Sequence, residues 1–200
     1  MPLLLTCFLF LVGAAVDSLS PSSRPAHPLT YDLLERLKTQ PGASVREIGT
    51  GSGRNRDVLL AAGLRVNASP PYDAALSTHA LLHGRACDVA RLLADVNASL
   101  KNEAPFFATF GSQRDARFGK GIRLDECSYA PESGDEAGVP HCYFEETALR
   151  ELLAPFVTVE SLEQITVDEI AGTWAHAAAP LRGAVHWFLR ARARRTNTSE

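Results

Sequence analysis

The sequence predicts an α/β domain of three layers, built on a mostly parallel sheet that closes with an antiparallel strand. Helical and strand-like segments alternate along the chain from about Leu29 onwards. A glycine-rich turn follows the first predicted strand, as in many α/β ligand-binding folds. The last two apolar segments, residues 157–167 and 183–194, are both predicted as strands and form a closing pair.

The first half of this pattern starts with a helix. Leucines recur at helical spacing from Leu29 to Leu37, and Pro41-Gly42 ends the segment. "SVREIG" is a short strand that enters the glycine turn. A helix from about Arg54 to Ala62 follows, with Gly63 as its C-cap.

The second half begins with a strand near Tyr72 and an amphipathic helix in "CDVARLLADVNASL". "APFFATFGS" predicts a buried strand. The polar segment from Gln113 to Cys142 is expected to be one long loop, and loops of that length are usually functional or disordered. "EETALRELLAPF" predicts a helix, with Glu145 and Glu146 favourably placed in its first turn.

Composition narrows the function classes. The 200 residues are 46% hydrophobic and 22% charged, which is ordinary for a globular protein with one core. A net charge of -3 argues against nucleic acid or an acidic membrane as partner. The one basic run, Arg190 to Arg195, has arginine at alternate positions. This spacing favours the solvated face of a strand over an RNA or membrane patch.

The domain organisation predicted from composition has three parts. Residues 1–28 form a hydrophobic and Pro/Ser-rich extension, 29–195 the folded domain, and 196–200 a tail. The apolar run 3–16 resembles a signal peptide but has no preceding Lys or Arg, and it is short for a membrane span. A signal segment and a peripheral extension both stay open.

The four cysteines disfavour two kinds of site. They form no CxxC pair, which argues against zinc, and they are too few for a disulfide framework in a chain of this size. Reduced, mostly buried thiols are expected at the four positions, which are Cys7, Cys87, Cys127 and Cys142.

Three glycines, Gly49, Gly51 and Gly53, mark a place where a ligand can approach backbone. The spacing departs from a dinucleotide fingerprint, because Arg54 stands where the third glycine would be. A P-loop is a poor fit as well. The one Gly-Lys pair, Gly119-Lys120, lies in the long loop and continues with glycine instead of Ser or Thr.

"EIGTGSGRN" resembles the first motif of the class I S-adenosylmethionine-dependent methyltransferases, an acidic residue followed by G-x-G-x-G. "GRN" is similar to a bacterial small-molecule subgroup that includes tellurite-resistance-type enzymes. The resemblance implies S-adenosylmethionine as cofactor, a Rossmann-like sheet and a small-molecule acceptor. It implies that Glu47 and the three glycines contact the methionine part of the cofactor, and that Asn55 caps the helix or faces the cofactor.

The resemblance continues along the chain to about Arg195. "YDAALSTHALLHG" looks like the family's fourth strand, which Asp73 opens, with the pocket lined by Ser77 to His79. "FFATFGSQRDARFGKG" and "GVPHCYF" resemble the fifth strand and a substrate lid. "AVHWFLRARAR" resembles the antiparallel seventh strand.

One region departs from the family pattern. A complete member has an acidic residue after its second strand, which holds the ribose, and then a helix and a third strand. Here no Asp or Glu lies between Asp57 and Asp73. Three residues, 69–71, span about 10 Å, too little for a parallel return. "LRVNASPP" is therefore expected as a loop or an edge stub instead of a second family strand. The sheet would be truncated at that edge and the adenosine half of the site missing.

Two functions follow from these observations. The first is S-adenosylmethionine-dependent methyl transfer to a small molecule in the cytoplasm, with secretion or membrane association as the alternative location. The second is a catalytically impaired, methyltransferase-like binding or structural module.

No catalytic residue is assigned, because methyl transfer needs positioning more than a base. His83 or His141 is expected to contact substrate or to be structural. No metal is expected, since Ala80 replaces the glutamate of a zincin motif.

Overall fold

The computed structural model describes residues 25–168, 170–173 and 182–194. Within these ranges the helices are α1 (Pro28–Leu37), α2 (Arg54–Ala61), α3 (Ala86–Ser99) and α4 (Glu146–Leu153). The strands are β1 (Ser44–Ile48), β2 (Arg65–Val66), β3 (Ala74–Ser77), β4 (Pro105–Ser112), β5 (Ile122–Arg123), β6 (Ser128–Ala130), β7 (His141–Phe144), β8 (Val157–Thr166) and β9 (Val185–Ala193).

The sheet is parallel from one edge to its centre. β2, β1, β3 and β4 are neighbours in that order, and all run in the same direction. β9 then pairs antiparallel with β4, and β8 pairs antiparallel with β9. This arrangement confirms the predicted mostly parallel sheet with a closing antiparallel pair.

A small flap stands beyond the end of β3. β9 already pairs with β4 as far as Gly111, so β7 contacts the last two residues of β4 on the side where β3 has ended. β6 and β5 extend β7 as antiparallel strands. The segment 113–142, expected as one loop, therefore contains two short strands and the start of a third. Strands of two or three residues are too short to show a period in the sequence.

Two apolar layers cover the two faces of the sheet. Leucines of α1 and α2 pack on one face, together with Phe107, and α3 and α4 pack on the other, together with Phe106 and Phe110. Neighbouring phenylalanines of β4 point to opposite layers because side chains alternate along a strand. These layers make the predicted three-layer domain. Packing begins a little before α1, since Ala26 and His27 are already buried.

The edge beside β1 corrects one sequence-based expectation. β2 is the expected edge stub, but it still joins the sheet, and β3 joins on the opposite side of β1. Both can pair because β2 reaches only Ser44 and Val45, while β3 begins opposite Val45. The chain passes from β2 to β3 close to the start of β1. It therefore needs no return along the length of the sheet. No helix or strand lies in residues 67–73, so the family's third strand is missing from this described stretch.

One side chain completes this short edge. Asn67 follows β2 in a left-handed conformation with φ of 51°, which asparagine tolerates well. Its Oδ1 accepts a hydrogen bond from the backbone N–H of Glu47 at 2.8 Å, and its Nδ2 donates to the carbonyl of Glu47 at 3.1 Å. A single amide thus supplies the two bonds that a longer β2 would have made.

Of the remaining expectations, the structure supports the one about the arginine run and contradicts part of the one about the thiols. Arg190 and Arg192 of β9 pair with carboxylates of Asp32, Glu160 and Glu163, which supports a solvated strand face over a nucleic-acid patch. Cys142 is buried and Cys127 is half-buried, but Cys87 is exposed, contrary to expectation. Cys7 lies outside the described residues. No helix within the described ranges has the length and apolar character to cross a membrane.

Candidate cofactor and acceptor site

The structure gives different reasons for glycine at different positions of the turn. All are in the left-handed region, with φ of 73° at Gly49, 52° at Gly51 and 82° at Gly53. A Cβ on Gly49 would stand 2.5 Å from the Cβ of Ala80, so the chain's own packing requires this glycine. A Cβ on Gly51 would stand 3.9 Å from the carbonyl oxygen of Gly49, its nearest neighbour among the described residues. Gly51 therefore leaves open space beside the backbone.

Glu47 lies beside this turn, near the end of β1. Its residue is 6% exposed, and neither carboxylate oxygen has a hydrogen-bond partner among the described residues. Burial raises the pKa of Glu47 to about 7, against the opposing effects of Arg56 and of weak approaches by the Asn55 and Thr50 side chains. A buried carboxyl group without a partner is costly, so a cationic or hydrogen-bond-donating ligand would stabilise it.

Asn55 takes a place different from the capping role expected of it. The N-cap of α2 is Gly53, and Asn55 is the second residue inside the helix. Its Oδ1 accepts from the backbone N–H of His27 at 2.9 Å and from the Thr30 hydroxyl at 3.0 Å. Its Nδ2 donates to Thr78 at 2.8 Å. Asn55 thus ties the starts of α1 and α2 to the end of β3, and direct contact with a cofactor remains a prediction.

Ser77 and His79 stand at the carboxyl end of β3, where ligands bind in open α/β sheets. Ser77 is fully buried, and its hydroxyl has no partner among the described residues. His79 has φ of 67°, and its backbone N–H donates to the Thr109 hydroxyl. Burial, reinforced by the nearby His186, holds the pKa of His79 well below its usual range. Its Nε2 is buried without a hydrogen bond within the described chain.

Two further histidines join His79, and sequence reasoning missed both. The ring of His79 lies 5.7 Å from that of His27 and 5.2 Å from that of His186, measured between centroids. Burial lowers the pKa of His27 to about 2 and that of His186 to about 3, so all three imidazoles are neutral. We call these three residues the histidine row. No sequence signal marks it, because its members come from three distant segments.

The proton positions in the histidine row follow from its hydrogen bonds. His27 Nδ1 accepts from the backbone N–H of Leu29, which leaves the proton on Nε2. His186 Nε2 lies 3.2 Å from an Arg117 guanidinium nitrogen and accepts from it, which leaves the proton on Nδ1. His27 Nε2 and His186 Nδ1 are both buried with no partner in the described structure. The row therefore holds buried N–H groups that a ligand oxygen would satisfy.

A buried ion pair fixes the start of the predicted lid. Asp115 is 3% exposed, and its two oxygens accept from Arg117 at 2.8 Å and 2.9 Å. One of them also accepts from the backbone N–H of Val185 at 2.9 Å. The lid segment is thereby held against β9, next to His186.

His83 and His141 belong to a different cluster from the histidine row. They face each other in an antiparallel bridge, with ring centroids 4.8 Å apart, and the carboxylate of Glu136 lies beside both. His79 and His83, four residues apart, are thus on a loop and point to separate groups of side chains.

The region after β2, where the resemblance implies a ribose site, has no carboxylate. The position directly after β2 is Asn67, and both ends of its amide are committed to the backbone of Glu47. No acidic side chain is available between Asp57 and Asp73. Glu47 and the glycines that the resemblance assigns to the methionine part of a cofactor are thus present at the turn, whereas residues 58–72 offer no carboxylate for a ribose.

No protein-family model matches the sequence, and no curated protein is similar to it. Solved structures share its fold. A methyltransferase from Methanosarcina mazei aligns with a TM-score of 0.62 and 15% identity, over 85% of this chain and 99% of that one. The 1,6-didemethyltoxoflavin-N1-methyltransferase of Burkholderia thailandensis, solved with its substrate and S-adenosylhomocysteine, aligns with a TM-score of 0.58 and 17% identity, over 87% and 80%.

The same architecture also carries other chemistry. The [4+2]-cyclase SpnF aligns with a TM-score of 0.52 and 16% identity, over 83% of this chain and 80% of that one. Likeness at this level of identity establishes architecture and leaves the reaction open. The order of the strands, the glycine turn and these alignments agree: this chain has the fold of the class I S-adenosylmethionine-dependent methyltransferases.

Proposed function

We propose that the chain binds S-adenosylmethionine and transfers its methyl group to a small-molecule acceptor. The observation that carries the proposal is Glu47, a buried carboxyl group with no hydrogen-bond partner in the described structure, beside an open glycine turn. Such a group fits the amino group of the cofactor's methionine part, which is a cation. The fold neighbours are consistent with this cofactor.

Four residues would hold that part of the cofactor. Glu47 accepts from the amino group, and the backbone at Gly51 lies where no side chain stands in the way. Ser77 and His79 supply a buried hydroxyl and a buried ring nitrogen at the end of β3. The cofactor, when bound, supplies a methyl group on a positively charged sulfur.

The histidine row is the best candidate for the acceptor side. His27 and His186 present neutral N–H groups, and neutral rings add no positive charge against a cationic cofactor. Their part is to orient an acceptor oxygen or nitrogen and to exclude water, which is where positioning lowers the barrier of a displacement. None of the three needs to act as a base. An acceptor of low molecular weight suits the small space that three side chains, His27, His79 and His186, can contact together.

The missing ribose carboxylate sets the expected affinity. Charge-assisted hydrogen bonds contribute about 1.5–3 kcal/mol, which corresponds to roughly 10–150-fold in affinity. We therefore expect a dissociation constant in the micromolar range instead of tighter binding.

A cytoplasmic location follows from this proposal and is checked by cell fractionation with an antibody against the chain.

Titration calorimetry with S-adenosylmethionine and S-adenosylhomocysteine tests the proposal. Gly51→Ala places a methyl group in the open space of the turn and should weaken binding at least about tenfold. Gly63→Ala is the matched control, because Gly63 has φ of 78° and an added Cβ meets nothing within 4 Å. It carries the same backbone strain, about 1–2 kcal/mol, at a position away from the turn.

The outcomes separate the two functions. Micromolar binding that Gly51→Ala weakens and Gly63→Ala does not supports the proposal. Absence of binding at millimolar ligand, in protein shown to be folded, overturns it and leaves the methyltransferase-like binding module. Transfer itself is then tested with methyl-labelled cofactor and a low-molecular-weight cell extract. The label should appear in a small product and not in protein or nucleic acid.

A further inference from the structure

The flap beyond β3 brings three potential metal ligands together. His83 Nε2 lies 3.4 Å from Glu136 Oε1, and His141 Nε2 lies 3.0 Å from Glu136 Oε2. The ligand atoms of all three residues lie within 4.8 Å of one another. A tetrahedral zinc ion with bonds of about 2.0–2.1 Å sets its ligand atoms about 3.4 Å apart. The two measured distances are close to that value.

The tautomer of His141 prepares it to bind a metal ion. Its Nδ1 lies 2.9 Å from the carbonyl of Val139, and only an N–H can satisfy that oxygen. The proton is therefore on Nδ1, and in the neutral ring Nε2 carries a lone pair. An Nδ1–H bond to a backbone carbonyl is the usual outer contact of a metal-binding histidine.

That lone pair is in an unusual position. The His141 side chain is 1% exposed, and its Nε2 lies 3.0 Å from a Glu136 oxygen without making a hydrogen bond to it. A lone pair so close to a carboxylate oxygen is repulsive unless a proton or a metal ion lies between them. His83 approaches the other oxygen of the same carboxylate, so two imidazoles and one carboxylate converge on one point. A metal ion satisfies all three groups at once, whereas a single proton satisfies one pair.

The backbone holds the three residues in place. His83 and His141 are partners in an antiparallel bridge, and Gly84 N–H donates to the Pro140 carbonyl at 2.8 Å. The turn that carries Glu136 is closed by bonds from Val139 to the Glu136 carbonyl at 3.0 Å and from Gly138 to the Pro131 carbonyl at 2.8 Å. The geometry thus comes from paired backbone and not from free side chains.

We propose that His83, Glu136 and His141 form a binding site for a divalent transition-metal ion, of which zinc is the best match. Two histidines and one carboxylate are a ligand set of catalytic zinc and non-haem iron sites. His83 and Glu136 are 28% and 27% exposed, so a fourth position is open to water or to a donor atom of a small molecule.

Metal titration of the purified full chain, after treatment with a chelator and without S-adenosylmethionine, tests the site. Cobalt(II) reports through its visible absorption bands, and zinc is measured by competition against it. We expect one metal ion per chain. His83→Gln, Glu136→Gln and His141→Gln should each weaken zinc binding by more than about 100-fold, because even outer contacts contribute 10–100-fold.

Two controls locate the metal. Glu132→Gln removes an exposed carboxylate from the same loop and should bind zinc as the unchanged protein does. Cys127→Ser should also bind normally. If it abolishes binding together with a sulfur-to-cobalt absorption band, the thiols are the ligands and the proposal is wrong.

Two further results would overturn the site: no zinc or cobalt binding at millimolar metal by folded protein, or unchanged affinity in all three ligand variants. His83→Gln keeps the test usable if the buried His141 variant does not fold. Because the cofactor takes no part in the titration, these results are independent of methyl transfer.

Discussion

Glu47 links protonation to both folding and cofactor binding. Its pKa is about 7 in the folded chain against an ordinary value of 4.5, so the native state holds the proton more tightly than the unfolded state. The stability that it contributes is complete below pH 4.5 and is lost as the pH rises through about 7. The ionised form, in contrast, is the one that suits a cationic ligand.

We therefore expect Glu47→Gln to be more stable than the unchanged protein at pH 7.5, with the difference shrinking towards pH 4.5. The difference is up to about 3 kcal/mol, at about 1.4 kcal/mol for each pH unit in this interval. Urea denaturation at several pH values measures it. The same variant should bind S-adenosylmethionine at least about tenfold more weakly at pH 7.5. An equal stability difference at every pH would contradict the assignment.

Single residues also show where sequence reasoning stops. Glu47 and Gly51 belong to a local motif, so a role for them can be predicted from the sequence, and that role stays a prediction. Asn55 belongs to the same motif, yet its amide braces three protein segments. His27 and His186 carry no local signal, since their proximity to His79 depends on three elements packing together. Local motifs are visible in one sequence, and side-chain clusters built by tertiary packing are not.

At the scale of elements, Asn67 replaces the missing length of β2. Asn67→Gly keeps the left-handed backbone and removes the two side-chain bonds to Glu47, so we expect a loss of about 1–2 kcal/mol in unfolding free energy. Glu103→Gly is the contrasting control, because Glu103 also has a left-handed φ, of 59°, and within the described residues the contact given for its side chain is an exposed one with Arg192. This control should be neutral or slightly stabilising. Equal losses in both variants, measured by urea denaturation, would rule out the bracing role.

The elements themselves were largely predictable, with one clear failure. The helices and long strands have enough residues to show a period, and β4 carries three phenylalanines that mark it as buried. β5 and β6 have two and three residues, and their pairing depends on the register of β7. The same register brings His141 opposite His83. The flap and its candidate metal site were missed for the same reason: both depend on the register of β7 between distant segments, which the sequence does not show.

At the scale of the whole molecule, the pair of Asp115 and Arg117 joins the predicted lid segment to the central sheet. Asp115→Asn removes a buried negative charge that accepts two hydrogen bonds from Arg117, and we expect a loss of about 3–5 kcal/mol in unfolding free energy. Glu146→Gln, which breaks an exposed pair with Arg150 on α4, should cost less than about 0.5 kcal/mol. Thermal and urea unfolding of both variants measure the contrast. Similar small losses in both would show that the buried pair is not what fastens the lid.

The short β2 edge has a consequence for association between chains. A sheet edge with many unpaired backbone groups can template a strand from another molecule. On this side the outermost strand offers two residues, and Asn67 already occupies the next backbone groups of β1. This side of the molecule thus presents a short sheet edge that offers a neighbouring chain few backbone groups to pair with.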